Sequence, residues 1–196
     1  AIGERYAAGN INSGHNFLEK IIQVPLRIPQ ALSKDLLNYT FELLNKILKE
    51  NDVDLDENES QHIGAQISQN ILIKIKTPRL AIRYVNSLSF LIPLLKGEVN
   101  MSDLILFEGV KIFYPKYYEF IKSSPEYFIE SYQNNYTNSK DNEKVEDLKN
   151  KIEELNKGLS KKESKSILSL IKLLFPYIKE ALDNYSYRNQ NSDWEK

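Results

Sequence analysis

Apolar residues recur at helical spacing through most of the chain. Leu36, Leu37, Phe41, Leu44, Ile47 and Leu48 mark one face of a helix that opens at Ser33, a residue suited to an N-cap. Ile63, Ile67 and Ile71 mark a second helix, from about Glu59 to Ile73. Thr77-Pro78 is a strong start signal for a third: Thr caps, and Pro at the first helical position has no N–H to leave unsatisfied. That helix is expected to run to about Ile92, to be disturbed at Pro93 and to end by Gly97. Ser102 opens a fourth helix through Phe113, and Pro115 and Ser124-Pro125 punctuate two shorter ones rich in Tyr and Phe. Val145, Leu148, Ile152 and Leu155 then recur in steps of three and four, and Gly158 stops that helix. A last helix, begun by Ser160 or Glu163, carries Ile167, Leu170 and Leu174, and the two make a helical hairpin.

One stretch departs from this period. Phe17 to Ile28 starts with helical spacing and becomes β-branched, with Pro25 and Pro29 bracketing its end, which suits a short edge strand. No repeat of fixed period and no βαβ alternation occurs. The pattern predicts a mainly α fold, a helical bundle or lid subdomain with at most one short strand. Residues 133–143 read as a polar linker.

Composition narrows the function classes. The 196 residues are 41% apolar and 27% charged, enough for one substantial core and too apolar for a wholly disordered chain. A net charge of −1 argues against a protein that coats DNA or an anionic membrane. With no cysteine there is no disulfide framework, no thiolate nucleophile and no Cys-based zinc site. No apolar run approaches the roughly 18–20 residues of a membrane span; the longest, Leu88 to Leu95, contains Ser89 and Pro93. Neither end carries a start or targeting signature, so the chain reads as an internal fragment.

The balanced total conceals an asymmetry. Residues 50–59 carry six carboxylates and no base, whereas residues 60–97 carry Lys74, Lys76, Arg79, Arg83 and Lys96 and no acid. Only five arginines accompany 21 lysines, and two of the five stand four residues apart just inside the Thr77-Pro78 helix start. Arg79, Arg83 and Asn86 form one narrow polar stripe, while Leu80, Ile82, Tyr84, Val85, Leu88 and Leu91 cover most of the remaining circumference, so the rest of the helix is expected to be buried and the stripe to face a cleft or a partner. A helix N-terminus favours anions, and two guanidinium forks add bidentate phosphate binding. The competing reading pairs these arginines with carboxylates of residues 50–59 or with Glu98.

Other constellations are weaker. Asp52, Asp54 and Asp56 match the first ligand positions of a calcium loop, but Glu57 replaces its turn glycine and Ile63 its bidentate Glu, so no metal site is expected. His15 and His62 are far apart, and neither a nucleophile elbow nor a zinc-protease helix occurs. The aromatic stretch from Phe107 to Tyr136, interleaved with Lys111, Lys116 and Lys122, could stack nucleobases. Its glutamates dilute that charge and favour core packing, and no nucleic acid is expected as a partner.

Three blocks in order carry a resemblance: Phe17 to Pro29, Thr77 to Asn86 (Thr-Pro-Arg-Leu-Ala-Ile-Arg-Tyr-Val-Asn), and Glu98 to Tyr118. Together they resemble the C-terminal half of the KAP family of P-loop NTPases, which includes animal neuronal scaffold proteins and a bacterial plasmid phage-exclusion protein. The resemblance covers residues 15–120. It implies that residues 1–32 are the tail end of an NTPase core and 33–132 a helical lid; the linker at 133–143 and the helical hairpin with its polar tail at 144–196 rest on the residue pattern alone. It implies Arg79, then Arg83, as sensor arginines toward a γ-phosphate, with Asn86 completing the stripe and Lys20 and Gln23 at the contact of core and lid. ATP and Mg²⁺ belong to the parent protein on this reading, and the N-terminal core is the implied partner, with self-association or a protein effector as further possibilities. No Gly-x-x-x-x-Gly-Lys-[Ser/Thr] sequence is present, so the fragment alone is expected to bind no nucleotide. A cytoplasmic location follows for this segment, with any membrane-spanning insertion of the parent lying upstream. Without the resemblance, the alternative is a helical protein-interaction module with no nucleotide chemistry.

Overall fold

The computed structural model describes residues 31–129, 139–179 and 181–183; the expected edge strand at 17–28 and Lys20 lie outside them. The chain divides into two units at residue 30, and every helix named below belongs to the second, Ala31–Lys196. No strand occurs among the described residues, so the expectation of a mainly α fold holds. The sole extended pairing among them is an isolated bridge between Lys96 and Val99.

Helix α1 spans Ser33–Glu50 and buries Leu36, Leu44, Ile47 and Leu48. Ser33 is its first helical residue and not its cap, because the Leu36 N–H already donates to the Leu32 carbonyl at 3.0 Å. Helix α2, Glu57–Gln66, starts two residues before the expected Glu59 for an electrostatic reason. The Asp56 carboxylate accepts the Glu59 N–H at 2.8 Å, and the Glu59 carboxylate accepts the Asp56 N–H at 3.3 Å, a reciprocal capping box. Part of the acidic run is therefore a helix start.

The second helix does not continue unbroken to Ile73, as its apolar period suggests. Ile67–Ile71 is a π turn and Leu72–Lys74 a 3₁₀ turn. The Ser68 hydroxyl donates to the Gly64 carbonyl at 2.7 Å, competing with the backbone where the register changes. The looser turn keeps Ile67, Ile71 and Ile75 all inside the core.

Helix α3, Pro78–Leu95, opens as expected, with the Thr77 hydroxyl accepting the Leu80 N–H. It passes through Pro93 to Leu95; Pro93 lies on the exposed face, so the Ser89 carbonyl it orphans can meet water. Gly97, at φ 85°, ends the segment. Helix α4, Met101–Phe113, is capped by Asn100 and not by Ser102: the Asn100 side chain accepts the Asp103 N–H at 3.0 Å.

Helix α4 is the hub. It packs against α2, the π turn, α3, α5 (Pro115–Ser123) and α8 (Lys161–Leu174), while α1 lies along α3. Gly109 permits the closest approach: a Cβ there would stand 2.6 Å from Ile71 Cδ1 and 3.2 Å from its Cγ1. Gly109→Val should therefore destabilise the fold by about 3 kcal/mol in a denaturant titration, since Ile71 is fully buried and cannot swing away. A loss below about 0.5 kcal/mol would mean the α4–π turn contact is looser than described.

The short helix α6, Glu126–Ile129, and helix α7, Ser139–Asn156, follow α5. Tyrosine hydroxyls clip α7 on. Tyr117 donates to Asn156 Oδ1 at 2.9 Å, and Tyr127 donates to the Asp147 carboxylate. Gly158, at φ 91°, reverses the chain, and Ser160 with Glu163 forms the capping box of α8. Lys74 reaches across from the 3₁₀ turn to Glu163 at 2.8 Å. Hydrogen bonds from Lys74 and from Ser160 hold the Glu163 carboxyl at about 2, well below the usual 4.5. Its stabilisation is complete above the unfolded value and is lost as pH falls from about 5 toward 2. Glu163→Gln should accordingly lower the melting temperature at pH 7 and leave it nearly unchanged at pH 2; equal losses at both would contradict the ion pair.

Candidate functional site

Helix α3 exposes a continuous stripe. Arg79, Ile82, Arg83, Asn86, Ser89, Phe90, Pro93 and Leu94 share one side of the helix, at the i, i+3, i+4 and i+7 offsets of a single face, and all face solvent. The structure thus brings Arg79, Arg83 and Asn86 onto one face, as their spacing requires. It also corrects the expectation that the stripe is narrow and the rest of α3 buried. Ile82 is 39% exposed, Phe90 69% and Leu94 61%. The core needs only the opposite face, where Ala81, Tyr84, Val85, Leu88 and Ile92 pack against α1 and α4. The exposed face is consequently basic over its first two turns and apolar over its last two.

The polar end is held firmly. Tyr84, one residue beyond Arg83, is fully buried and donates its hydroxyl to the Ile105 carbonyl of α4 at 2.7 Å. Burial, reinforced by the Glu108 carboxylate, pushes that phenol far above its ordinary value, so it remains a donor. Next along the same side, the Ser87 hydroxyl donates to Glu108, which is 2% exposed and ion-paired with Lys111 at 3.1 Å. These contacts fix the rotation of α3 and hence the direction in which its arginines project.

Neither arginine is paired with a carboxylate among the described residues, so neither the 50–59 carboxylates nor Glu98 neutralises them there. The first turn of α3 contains no acid, although α1, α2, α4 and α8 each place at least one there. Arg79 occupies the turn where the helix dipole favours a negative group. Two guanidinium forks beside that end can grip an anion bidentately, and they cannot transfer a proton.

Two lysines of the basic run have other employment. Lys74 pairs with Glu163 and lies 5.3 Å from the centre of the Tyr114 ring, and Lys96 donates to the Asn51 carbonyl at 2.6 Å. The aromatic stretch packs inward. Phe107, Tyr118, Phe120, Tyr127, Phe128 and Phe175 contact one another at centroid distances of 4.9–6.3 Å. The rings meet tilted or edge to face, and the Lys151 ammonium lies over the Phe120 and Tyr127 rings. Among the described residues no group of three His, Cys, Asp or Glu side chains could hold a metal ion, and no helix is long and apolar enough to cross a membrane. Sequence reasoning missed the exposed Phe90 and Leu94; their successive four-residue steps from Asn86 were the available signal.

The fold and this face define an α-helical unit with an open basic-to-apolar helix surface. Residues 1–95 match the model of the KAP family P-loop domain, so the family resemblance is borne out over that segment. The match includes Arg79, Arg83 and Asn86 and stops where α3 stops, at Leu95. The third resembling block, Glu98 to Tyr118, lies outside it. No curated protein and no solved structure gives a significant match.

Proposed function

We propose that this chain supplies the helical lid of a KAP-type P-loop ATPase and that the exposed face of α3 is its closing surface. The observation that carries this reading is the pair of unneutralised arginines at an acid-free helix start, inside the segment that matches a P-loop NTPase family. A nucleotide-binding core elsewhere in the parent holds ATP·Mg²⁺. Arg79 or Arg83 reaches the γ-phosphate when the lid closes, Asn86 orients the neighbouring guanidinium or phosphate oxygen, and Ile82, Phe90 and Leu94 pack against the core. Loss of the γ-phosphate removes the charge that the arginines grip, and the lid is released, a nucleotide-dependent switch. Lys20 is assigned to the core–lid contact by resemblance alone.

Phenylglyoxal labelling of the parent protein tests this. Exposed guanidiniums react, so Arg79 and Arg83 should label readily without nucleotide and be protected by a non-hydrolysable ATP analogue with Mg²⁺. Identical labelling with and without the analogue, read by peptide mass spectrometry, would contradict lid closure.

A second reading is a protein-interaction module without nucleotide chemistry, favoured by the apolar exposure of Phe90 and Leu94. It predicts that Phe90→Ser abolishes partner capture while Arg79→Ala leaves it intact.

A further inference from the structure

Helix α7 is fastened differently from the rest of the bundle. Helices α1 to α5 and α8 each run close along another helix or the π turn, whereas α7 makes no such extended backbone approach among the described residues. Ten of its 18 residues are charged. Only Val145, Leu148 and Ile152 among its described side chains are buried, one narrow stripe at the offsets i, i+3 and i+7.

A second stripe, Lys144, Asp147 and Lys151, lies beside the first at the same offsets, and all three residues converge on Tyr127 of α6. The Tyr127 hydroxyl donates to the Asp147 carboxylate and accepts from the Lys151 ammonium at 3.2 Å. Lys144 and Lys151 stand 5.7 and 4.7 Å from the centre of its ring, and Lys151 also lies 5.8 Å from that of Phe120. Lys151 pairs with Asp147 at 3.1 Å, and hydrogen bonds from Tyr127 and Lys151 hold the Asp147 carboxyl below its ordinary range. Farther along, Tyr117 of α5 donates to Asn156. Apart from the apolar stripe, the attachment is thus made by side-chain tips at the solvent edge. The far end of α7 is a joint: Gly158 stands at φ 91°, and α8 is anchored beyond it by its own capping box and by Lys74 on Glu163. Helix α7 can leave about that joint while α8 keeps its place.

We propose that α7 is a releasable strap seated on a docking shelf, Tyr117, Phe120 and Tyr127, and that the shelf takes a partner's amphipathic helix of the same chemistry in its place. Helix α7 itself displays what fits. Three apolar side chains recur at i, i+3 and i+7, and a Lys-Asp-Lys stripe one position ahead embraces the Tyr127 ring. Such a helix-on-surface contact is read through its apolar anchors, and the flanking charges fix its register. An occupant in the same chain has the advantage of effective concentration, so the shelf stays closed until the strap's hold is weakened or a competitor is abundant. Neither nucleotide nor α3 takes part.

A fluorescent peptide of residues 143–156 is the probe, titrated into the whole chain by anisotropy, with hydrogen exchange measured on the same proteins. The double variant Asp147→Ala/Lys151→Ala alters the strap and leaves the shelf intact; both side chains are more than a third exposed. In it the α7 amides should exchange about tenfold faster while those of α3 and α4 keep their rates. The peptide should bind this variant about tenfold more tightly than it binds the unaltered chain. A peptide carrying Leu148→Asp should bind neither. Equal affinity for the two proteins would overturn the proposal, as would no binding to the variant. So would α3 and α4 amides that quicken in step with α7, since α7 would then open only with the whole fold.

Discussion

On the proposed lid function, replacing Arg79 or Arg83 by Ala in the parent protein is expected to lower ATP turnover by about 10²–10³-fold for whichever residue meets the γ-phosphate. The helix itself should survive. Both side chains are exposed, neither pairs with a carboxylate among the described residues, and the packing of α3 rests on Tyr84, Val85, Leu88 and Ile92. A fall in turnover without a fall in melting temperature is therefore the signature of the proposed role. Lysine is not an adequate substitute, since a planar fork can bind two phosphate oxygens and an ammonium acts as a point charge. Arg→Lys at the same position should recover at most a minor part of the rate. Full turnover in both single Ala variants would remove the sensor assignment from α3.

The largest effect on stability is expected at Lys111. Its ammonium is the cationic partner of Glu108, whose side chain is 3% exposed between α3 and α4. Lys111→Met leaves that carboxylate buried with only the Ser87 hydroxyl donating to it among the described contacts, a change that costs about 3–5 kcal/mol. The companion Glu108→Gln removes the charge and should restore most of the loss in the double variant, because the Ser87 bond persists to a neutral acceptor. Urea midpoints of the single and double variants check this. A loss under 1 kcal/mol in Lys111→Met would show that water reaches Glu108. Since this pair sits beside Tyr84, the destabilised variant should also lose nucleotide-dependent protection of Arg79 and Arg83.

Helices with strong end signals were legible. Thr77-Pro78, Ser160 with Glu163, and the glycines at 97 and 158 act through local hydrogen bonds or φ preferences that sequence alone specifies. The caps at Leu32 and Asn100 were shifted for different reasons: Asn100 is as good a local cap as Ser102, whereas the helix at Leu32 begins with a backbone hydrogen bond and no side-chain cap. The π turn at Ile67–Ile71 was hidden because its isoleucines keep helical spacing while the backbone register slips.

Of the candidate site, the co-facial placement of Arg79, Arg83 and Asn86 followed from spacing. The width of the exposed stripe did not. An apolar side chain such as Phe90 reads as core in a hydrophobic pattern, and only the location of the neighbouring helices shows that nothing among the described residues covers it.

The central claim concerns the distance between α3 and a bound nucleotide. This chain contains no cysteine, so Asn86→Cys introduces a unique thiol here for a spin label, other cysteines of the parent being replaced first. With Mn²⁺ standing in for Mg²⁺ at the nucleotide, the label-to-metal distance can be read by pulsed electron resonance. Lid closure predicts a short distance with the ATP analogue and a longer one with ADP. The same long distance in both states would contradict it.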